Sequence, residues 1–395
     1  MEFSEEEIRG LRAATRGTAE RVHFNNAGAS LPPDVVVDTV TRYLTDEAAC
    51  GGYETEAAYA PAIDHVYASI ARLINADAGE IALVESASVA WGITFNGITF
   101  REGDVVLTSE MEYVTNLLGF LALEKTKGIR IEVVPNDENN NFSLDALEAA
   151  ISPRTRLIAI THIPSTAGNV MPVADIGRIA RKHGILYLVD ACQSVGQTPV
   201  DVKALHCDFL AVTGRKYLRA PRGTGFLYVR KEVQGQLNPI FIDGRSISWI
   251  STTDFRLRDD AKRFELYERS WALALGLGAA VDYALEIGVD RIWARILYLS
   301  DLLRTGLSAL GGIVVHDKGA VRCGIVTFSM AGADAALVKR TLAERRINVS
   351  IGLAKSTPIY MDKHHLDNVI RASVHYYNTE EEINLLCRAL ASVTI

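Results

Sequence analysis

Several side chains capable of chemistry stand just beyond short apolar runs of the sequence. Asp190 follows Ile185–Val189 and leads into Ala191-Cys192-Gln193, while Thr213-Gly214-Arg215-Lys216 follows Phe209–Val212. Glu85-Ser86-Ala87-Ser88 follows Ile81–Val84 and opens a helical pattern, and Thr108-Ser109-Glu110-Met111-Glu112-Tyr113 follows Val105–Leu107. In an open α/β sheet, ligands bind beyond the carboxyl ends of the strands. One rim would therefore gather a carboxylate, a lysine, an arginine, hydroxyls at a helix start and an aromatic ring. These are the groups that pyridoxal phosphate requires. A lysine amine makes the Schiff base, and a carboxylate keeps the ring nitrogen protonated as an electron sink. Backbone N–H groups and hydroxyls at a helix N-terminus cradle the phosphate. A flat side chain stacks on the ring, and an arginine forks onto the carboxylate of an amino-acid substrate.

The elements that must hold these groups alternate. Between about residues 80 and 230, strands at Ile81–Val84, Val105–Leu107, Ile129–Val134, Leu157–Thr161, Ile185–Val189 and Phe209–Val212 are separated by helical patterns. The helices start near Ser88, Val114, Leu144 and Val173. Strands apolar on both faces and interleaved with helices imply a mostly parallel sheet covered on both sides. One connection departs from this. Only twelve residues separate Val212 from Gly225–Val229, and they lack helical periodicity. A parallel crossover normally takes a dozen or more residues, usually as a helix, so this strand is expected to pair antiparallel. Residues 232–265 read as loop-rich, and a long apolar helix spans about Trp271–Ile287. Beyond Arg295, two helices and the strands Ile313–Val315 and Gly324–Phe328 suit a smaller α+β domain. The expected organisation is an α/β protein with a large cofactor-binding domain over residues 20–265. A small domain is built from residues 1–19 and 266–395, joined by the long helix.

Composition sets the outer bounds. At about 150 residues per domain, 395 residues imply two or three domains. With 48% hydrophobic and 23% charged residues the chain has the balance of a folded globular protein. A net charge of −7 argues against nucleic acid, which needs a basic surface. The longest apolar stretch, Trp271–Val281, falls short of the roughly 20 residues of a bilayer span. The acidic start Met1-Glu2-Phe3-Ser4-Glu5-Glu6-Glu7 is unlike a signal or transit peptide, so a cytoplasmic protein is expected. Five scattered cysteines without a Cys-x-x-Cys pair make neither a disulfide framework nor a zinc site, and no metal is expected. Gly276-Leu277-Gly278 is a fragment of a dinucleotide motif, but it lies inside a helix pattern rather than after a strand.

Taken together, Val189-Asp190-Ala191-Cys192-Gln193, Thr213-Gly214-Arg215-Lys216 and Pro221-Arg222-Gly223-Thr224-Gly225 resemble the signature of class V aminotransferase-fold enzymes. This is the group of fold-type I pyridoxal-phosphate enzymes that includes cysteine desulfurases, cysteine C–S lyases and isopenicillin N epimerase-like proteins. The likeness extends to Phe24-Asn25-Asn26-Ala27-Gly28, Gly51-Gly52-Tyr53-Glu54, Ser109–Asn116 and Arg371–Thr379, and so covers essentially the whole chain. The resemblance implies that Lys216 carries the Schiff base, Asp190 pairs with the ring nitrogen and Gln193 contacts the phenolate oxygen. It implies Thr213, Arg215, Ser86 and Ser88 around the phosphate, Tyr113 stacked on the ring and Arg371 on the substrate carboxylate. It further implies a homodimer, with Ser270 as a residue through which one subunit reaches the other's phosphate. Asn26, Tyr53 and the Ser350–Tyr360 loop would face the substrate.

Three departures matter. Arg215 and Tyr113 stand where many desulfurases have histidines, and Ser165 stands where the family often has an asparagine near the phenolate. The loop Ser350–Tyr360 carries Lys355-Ser356-Thr357 and no cysteine. Without a thiolate there, sulfur cannot be taken up as a protein-bound persulfide. The resulting expectation is a C–S β-lyase acting on a cysteine-derived substrate, with aminotransferase or epimerase chemistry as alternatives. A second alternative is a non-catalytic binding protein on the same fold.

Overall fold

The computed structural model describes residues 3–393. Helix α1 (Glu5–Ala13) starts in a capping box between Ser4 and Glu7, and strand β1 (Val22–His23) follows. Two long helices, α2 (Asp34–Cys50) and α3 (Gly52–Ile74), precede the alternating region. That region runs β2 (Ile81–Val84), α4 (Ala87–Gly97), β3 (Val105–Ser109), α5 (Val114–Lys127), β4 (Arg130–Val134), α6 (Leu144–Ala150) and β5 (Thr155–Thr161). It continues with α7 (Val173–His183), β6 (Leu186–Asp190), α8 (Val202–Leu205), β7 (Phe209–Thr213) and β8 (Gly225–Val229).

These strands form one seven-stranded sheet in the order β2-β8-β7-β6-β5-β3-β4. Strand β8 runs antiparallel to both of its neighbours, β7 and β2, while the remaining pairs are parallel. The short connection before Gly225 thus has the expected consequence. Strands β6, β7 and β8 are buried along their whole length, which is why each reads as a continuous apolar run. Asp190 and Thr213 are the last residues of their strands rather than the first residues beyond them. Their side chains are consequently held by the sheet ladder at its carboxyl edge.

The segment expected to be loop-rich contains a hairpin, β9 (Ile247–Ser251) with β10 (Asp254–Leu257). Neither face is buried and Trp249 is 72% exposed, so no in–out alternation marked it in the sequence. Next come α9 (Trp271–Ile287), α10 (Val289–Ser308), β11 (Ile313–Val315), β12 (Ile325–Met330) and α11 (Ala335–Glu344). The chain ends with β13 (Ile347–Asn348), β14 (Ser350–Gly352), α12 (Pro358–Lys363), β15 (Val369–Ser373) and α13 (Glu380–Ala391). Strands β11-β12-β15-β14 make a four-stranded antiparallel sheet, and β1 pairs in parallel with β13. Among the described residues no single helix is long and apolar enough to cross a membrane.

Helix α9 packs on α2 and α3, which accounts for Gly276-Leu277-Gly278. A Cβ on Gly276 would lie 2.6 Å from Val40 Cγ2, and one on Gly278 2.8 Å from Val66 Cγ2. The glycines serve close helix packing. A tighter contact joins α7 to α8, where a Cβ on Gly177 would lie 1.9 Å from the Leu205 carbonyl oxygen. Backbone cannot yield as a side-chain tip can. Gly177→Ala is therefore expected to destabilise the fold by about 3 kcal/mol, read as a lowered midpoint in denaturant unfolding with an unchanged slope.

Candidate active site

The carboxyl edge of the central sheet opens into a cavity of about 360 Å³, within the ordinary range for small-molecule sites. Nine residues singled out from the sequence line it: Ser86, Ser88, Tyr113, Ser165, Asp190, Gln193, Thr213, Arg215 and Lys216. They arrive from several different elements. Asp190 ends β6 and Thr213 ends β7; Ser86 caps α4 and Tyr113 precedes the first turn of α5.

Both oxygens of Asp190 are fixed. Oδ1 accepts from the Cys192 backbone N–H at 2.9 Å, and Oδ2 accepts from Asn116 Nδ2 at 2.9 Å. Lys216 lines the same cavity as this carboxylate, and burial pulls its ammonium below the usual lysine range. That shift favours the neutral amine, the form able to attack a carbonyl. Arg215 is half-buried and donates to the Gly28 carbonyl, while Gln193 Nε2 donates to the Ala27 carbonyl at 3.1 Å. The Asn25–Gly28 turn is thus tied to the site through its backbone. The first turn of α4 points its N–H groups toward the Ser86–Ser88 side of the cavity, where an anion is favoured.

Arg371 lies on β15, opposite Thr327 and Ser350 in the four-stranded sheet. It reaches the cavity wall by donating from Nη1 to the Ser165 carbonyl at 2.8 Å. Burial lowers its guanidinium to about 10, so it stays charged at neutral pH. Ser270 is not in the cavity. It caps α9, accepting from Leu273 N–H, and lines an adjoining cleft that shares Glu85 and Gly223 with the main one. Two further residues are not brought to the site within one chain. Asn26 is fully buried, donates to the Ser373 carbonyl at 2.7 Å and accepts from the Tyr377 hydroxyl at 2.5 Å. Tyr53 is 72% exposed in the first turn of α3.

Asn116, Thr161, Cys192 and Arg222 also line the cavity and were not assigned a part from the sequence. Thr161 is the last residue of β5, so the rule that singled out the other strand ends applies to it equally. Asn116 follows Tyr113 by three residues and so shares its side of the start of α5. Burial and the adjacent Asp190 push the Cys192 thiol well above the usual range, leaving it protonated and weakly nucleophilic.

Pyridoxal phosphate can be tested against this cavity by its unpartnered atoms. Among the described residues, Gln193 Oε1, Ser165 Oγ and Arg371 Nε are buried without a hydrogen-bond partner. Buried polar atoms normally find partners. Orphans of this kind at the wall of a cavity fit a bound polar ligand, and the anion cradle, carboxylate and lysine fit the separate parts of this cofactor.

The fold and the site define a class. The family model for class-V aminotransferases matches residues 22–386, and the chain belongs to this family of pyridoxal-phosphate-dependent enzymes. Among its relatives, a probable cysteine desulfurase of Methanothermobacter thermautotrophicus is 34% identical over 380 residues, covering 95% of each chain. The apo structure of a cysteine desulfurase from Thermococcus onnurineus NA1 superposes with a TM-score of 0.91 at 28% identity, covering 97% of both chains. The cystine C–S lyase C-DES, solved with its reaction product cysteine persulfide, gives a TM-score of 0.87 at 26% identity, covering 96% of this chain and 99% of that one.

Proposed function

We propose that this enzyme is a C–S β-lyase acting on a cysteine-derived amino acid. The observation that carries the reading is a cavity lined by Lys216, with Arg371 bonded to the Ser165 carbonyl of its wall, whose one lining cysteine among the described residues, Cys192, is held protonated. The likeness to C-DES supports it. When bound, pyridoxal phosphate would take Lys216 as a Schiff base and supply a protonated ring that accepts electrons from the substrate Cα. Asp190 would hold the ring nitrogen, and Thr213, Arg215, Ser86 and Ser88 the phosphate, with Arg222 adding positive charge on the same side. Tyr113 would lie against the ring, and Gln193 and Ser165 would meet its polar edge. Arg371 would orient the substrate by its carboxylate. Lys216 Nζ, on the same cavity and easier to deprotonate than a solvated lysine, would be placed to remove the Cα proton. With the Cα proton taken by Lys216, the Cβ–S bond would break with its electron pair leaving on sulfur, and hydrolysis of the remainder would give a keto acid and ammonia.

A desulfurase would hand the sulfur to a cysteine of its own. In this chain the Ser350–Tyr360 loop holds none, and the neutral Cys192 thiol beside Asp190 is a poor acceptor. The sulfur therefore departs with the product. The test is incubation with cystine and S-substituted cysteines, with and without a keto-acid acceptor. Keto acid and ammonia formed without the acceptor are the expected result. Dependence on the acceptor would make it an aminotransferase, and exchange of the Cα proton with no net product an epimerase. A protein that takes up the cofactor but shows no spectral response to any amino acid would be a binding protein only.

We further assign the chain to a homodimer in the cytoplasm, with residues 20–265 as the cofactor-binding domain and residues 1–19 with 266–395 as the smaller one. Exposed Tyr53, Phe241, Trp249 and Ile250 support a covering partner, which would bring Tyr53 and Ser270 to use. Five free cysteines suit a reducing compartment. Sedimentation of the purified chain tests the dimer.

A further inference from the structure

We propose that Glu112, which has no contact of its own with the cavity, is a positioning residue for the cofactor ring. It acts through Asn116 on Asp190 and through the backbone of Tyr113. This rests on the reading of the cavity as a pyridoxal-phosphate site.

Glu112 is 1% exposed. Its Oε1 is a hub that accepts from Tyr113 N–H at 2.9 Å, Asn116 Nδ2 at 2.8 Å and the Thr161 hydroxyl at 2.5 Å. Its Oε2 accepts from the Thr108 hydroxyl at 3.1 Å. The Asn116 amide has two N–H bonds and spends them on two carboxyl groups, Glu112 Oε1 and Asp190 Oδ2. One bridge therefore fixes where Asp190 points, and the same oxygen fixes the chain at the stacking ring. Three of the four donors belong to residues on the cavity wall: Tyr113, Asn116 and Thr161. None of them is a cation. A carboxyl taken out of water without a counter-charge is costly to keep, and burial pushes this one up to about 7. An apolar side chain would fill the space at less cost. The arrangement gains something only if the geometry it imposes on Asp190 and Tyr113 matters.

A carboxyl that merely braced the turn would, when removed, weaken the fold with and without cofactor alike. A positioning residue instead shows itself in the cofactor's affinity and colour. The experiment is titration of pyridoxal phosphate into the cofactor-free wild type, Glu112→Gln, Glu112→Asp, Glu112→Ala, Asn116→Ala and the double alanine variant. The dissociation constant and visible absorption band of each are followed, together with its melting temperature before cofactor is added. Glu112→Gln keeps an oxygen at the hub, and its amide N–H₂ can donate to Thr108 once that hydroxyl turns round. It is expected to stay within about threefold of wild type with the same band. Glu112→Asp keeps the charge but withdraws the oxygen by one methylene. It should weaken binding about tenfold and shift the band, as should Glu112→Ala, which removes the interaction worth roughly one hydrogen bond to a charged group. Asn116→Ala should do the same. The double variant should lose less than the two single losses multiplied, because the Asn116 arm is shared and only the Tyr113 arm is left for Glu112→Ala to remove. Wild-type affinity and colour in both Glu112→Ala and Glu112→Asp would overturn the proposal. So would single losses that simply multiply in the double variant, or Asp outperforming Gln, which would make charge rather than position the operative quantity. Should Glu112→Ala fail to fold, the comparison of Gln with Asp decides alone. A wild type that takes up no pyridoxal phosphate would overturn the cofactor assignment itself, a result distinct from all of these.

Discussion

Lys216→Ala is expected to abolish turnover, by at least about 10⁴-fold, while leaving a folded chain that still holds pyridoxal phosphate without a covalent bond. The size follows from the two tasks assigned to one nitrogen. It is the covalent anchor of the cofactor and the base for the Cα proton, and acid–base assistance alone contributes about 10²- to 10⁴-fold. The fold should survive because the side chain ends in a cavity rather than in a packed core, and its nearest strand, β7, is buried by other residues. Its lowered ammonium pKa sets the sense of a pH effect as well. A lysine easier to deprotonate is reactive at a lower pH than a solvated one, so covalent uptake of the cofactor should persist below the pH at which free amines cease to react. Reduction with borohydride followed by peptide mapping checks the assignment. A tag on any other lysine, or full turnover in Lys216→Ala, would remove Lys216 from this role.

What made this lysine legible is burial of the sheet on both faces. The continuous apolar runs at Leu186–Asp190 and Phe209–Thr213 mark fully buried strands, and a polar residue closing such a run has nowhere to go but the sheet's edge. The antiparallel β8 was legible for a different reason, the shortness of the chain before it. The hairpin β9–β10 was not, because both of its faces are exposed and no periodicity records it. Nor did the sequence disclose the fate of Asn26. Its polar atoms are taken by Ser373 and Tyr377, about 350 positions away in the chain, through a bridge that also pairs Asn25 with Ser373. Motif position cannot tell a buried structural amide from one facing a substrate; only the pairing of distant segments does. Arg371 shows the converse. The resemblance of the Arg371–Thr379 stretch points to it, and the register of β15 against β12 and β14 is what brings it to the Ser165 carbonyl.

Arg371→Ala is expected to raise KM for carboxylate-bearing substrates by about 100-fold, with a smaller effect on kcat. The cation is 9% exposed and keeps its charge at neutral pH. Its one protein partner is a neutral carbonyl, and its Nε has no partner among the described residues. A buried guanidinium in this state is poorly solvated and gains most when an anion arrives. Truncating one member of a buried, hydrogen-bonded charge pair costs about 2–5 kcal/mol, and 100-fold corresponds to about 2.7 kcal/mol, near the lower end. The lower end is appropriate because water can enter the vacated space from the cavity and solvate the substrate carboxylate in part. Arg371→Lys restores charge but not the planar fork, so it should recover only part of the loss. The measurement is a pair of titrations, one with an amino acid and one with its carboxamide. Wild type should prefer the acid strongly, and Arg371→Ala should bind the two almost equally. If the preference for the acid survived the substitution, another cation would hold the carboxylate, and Arg222 at the cavity rim would be the next residue to replace.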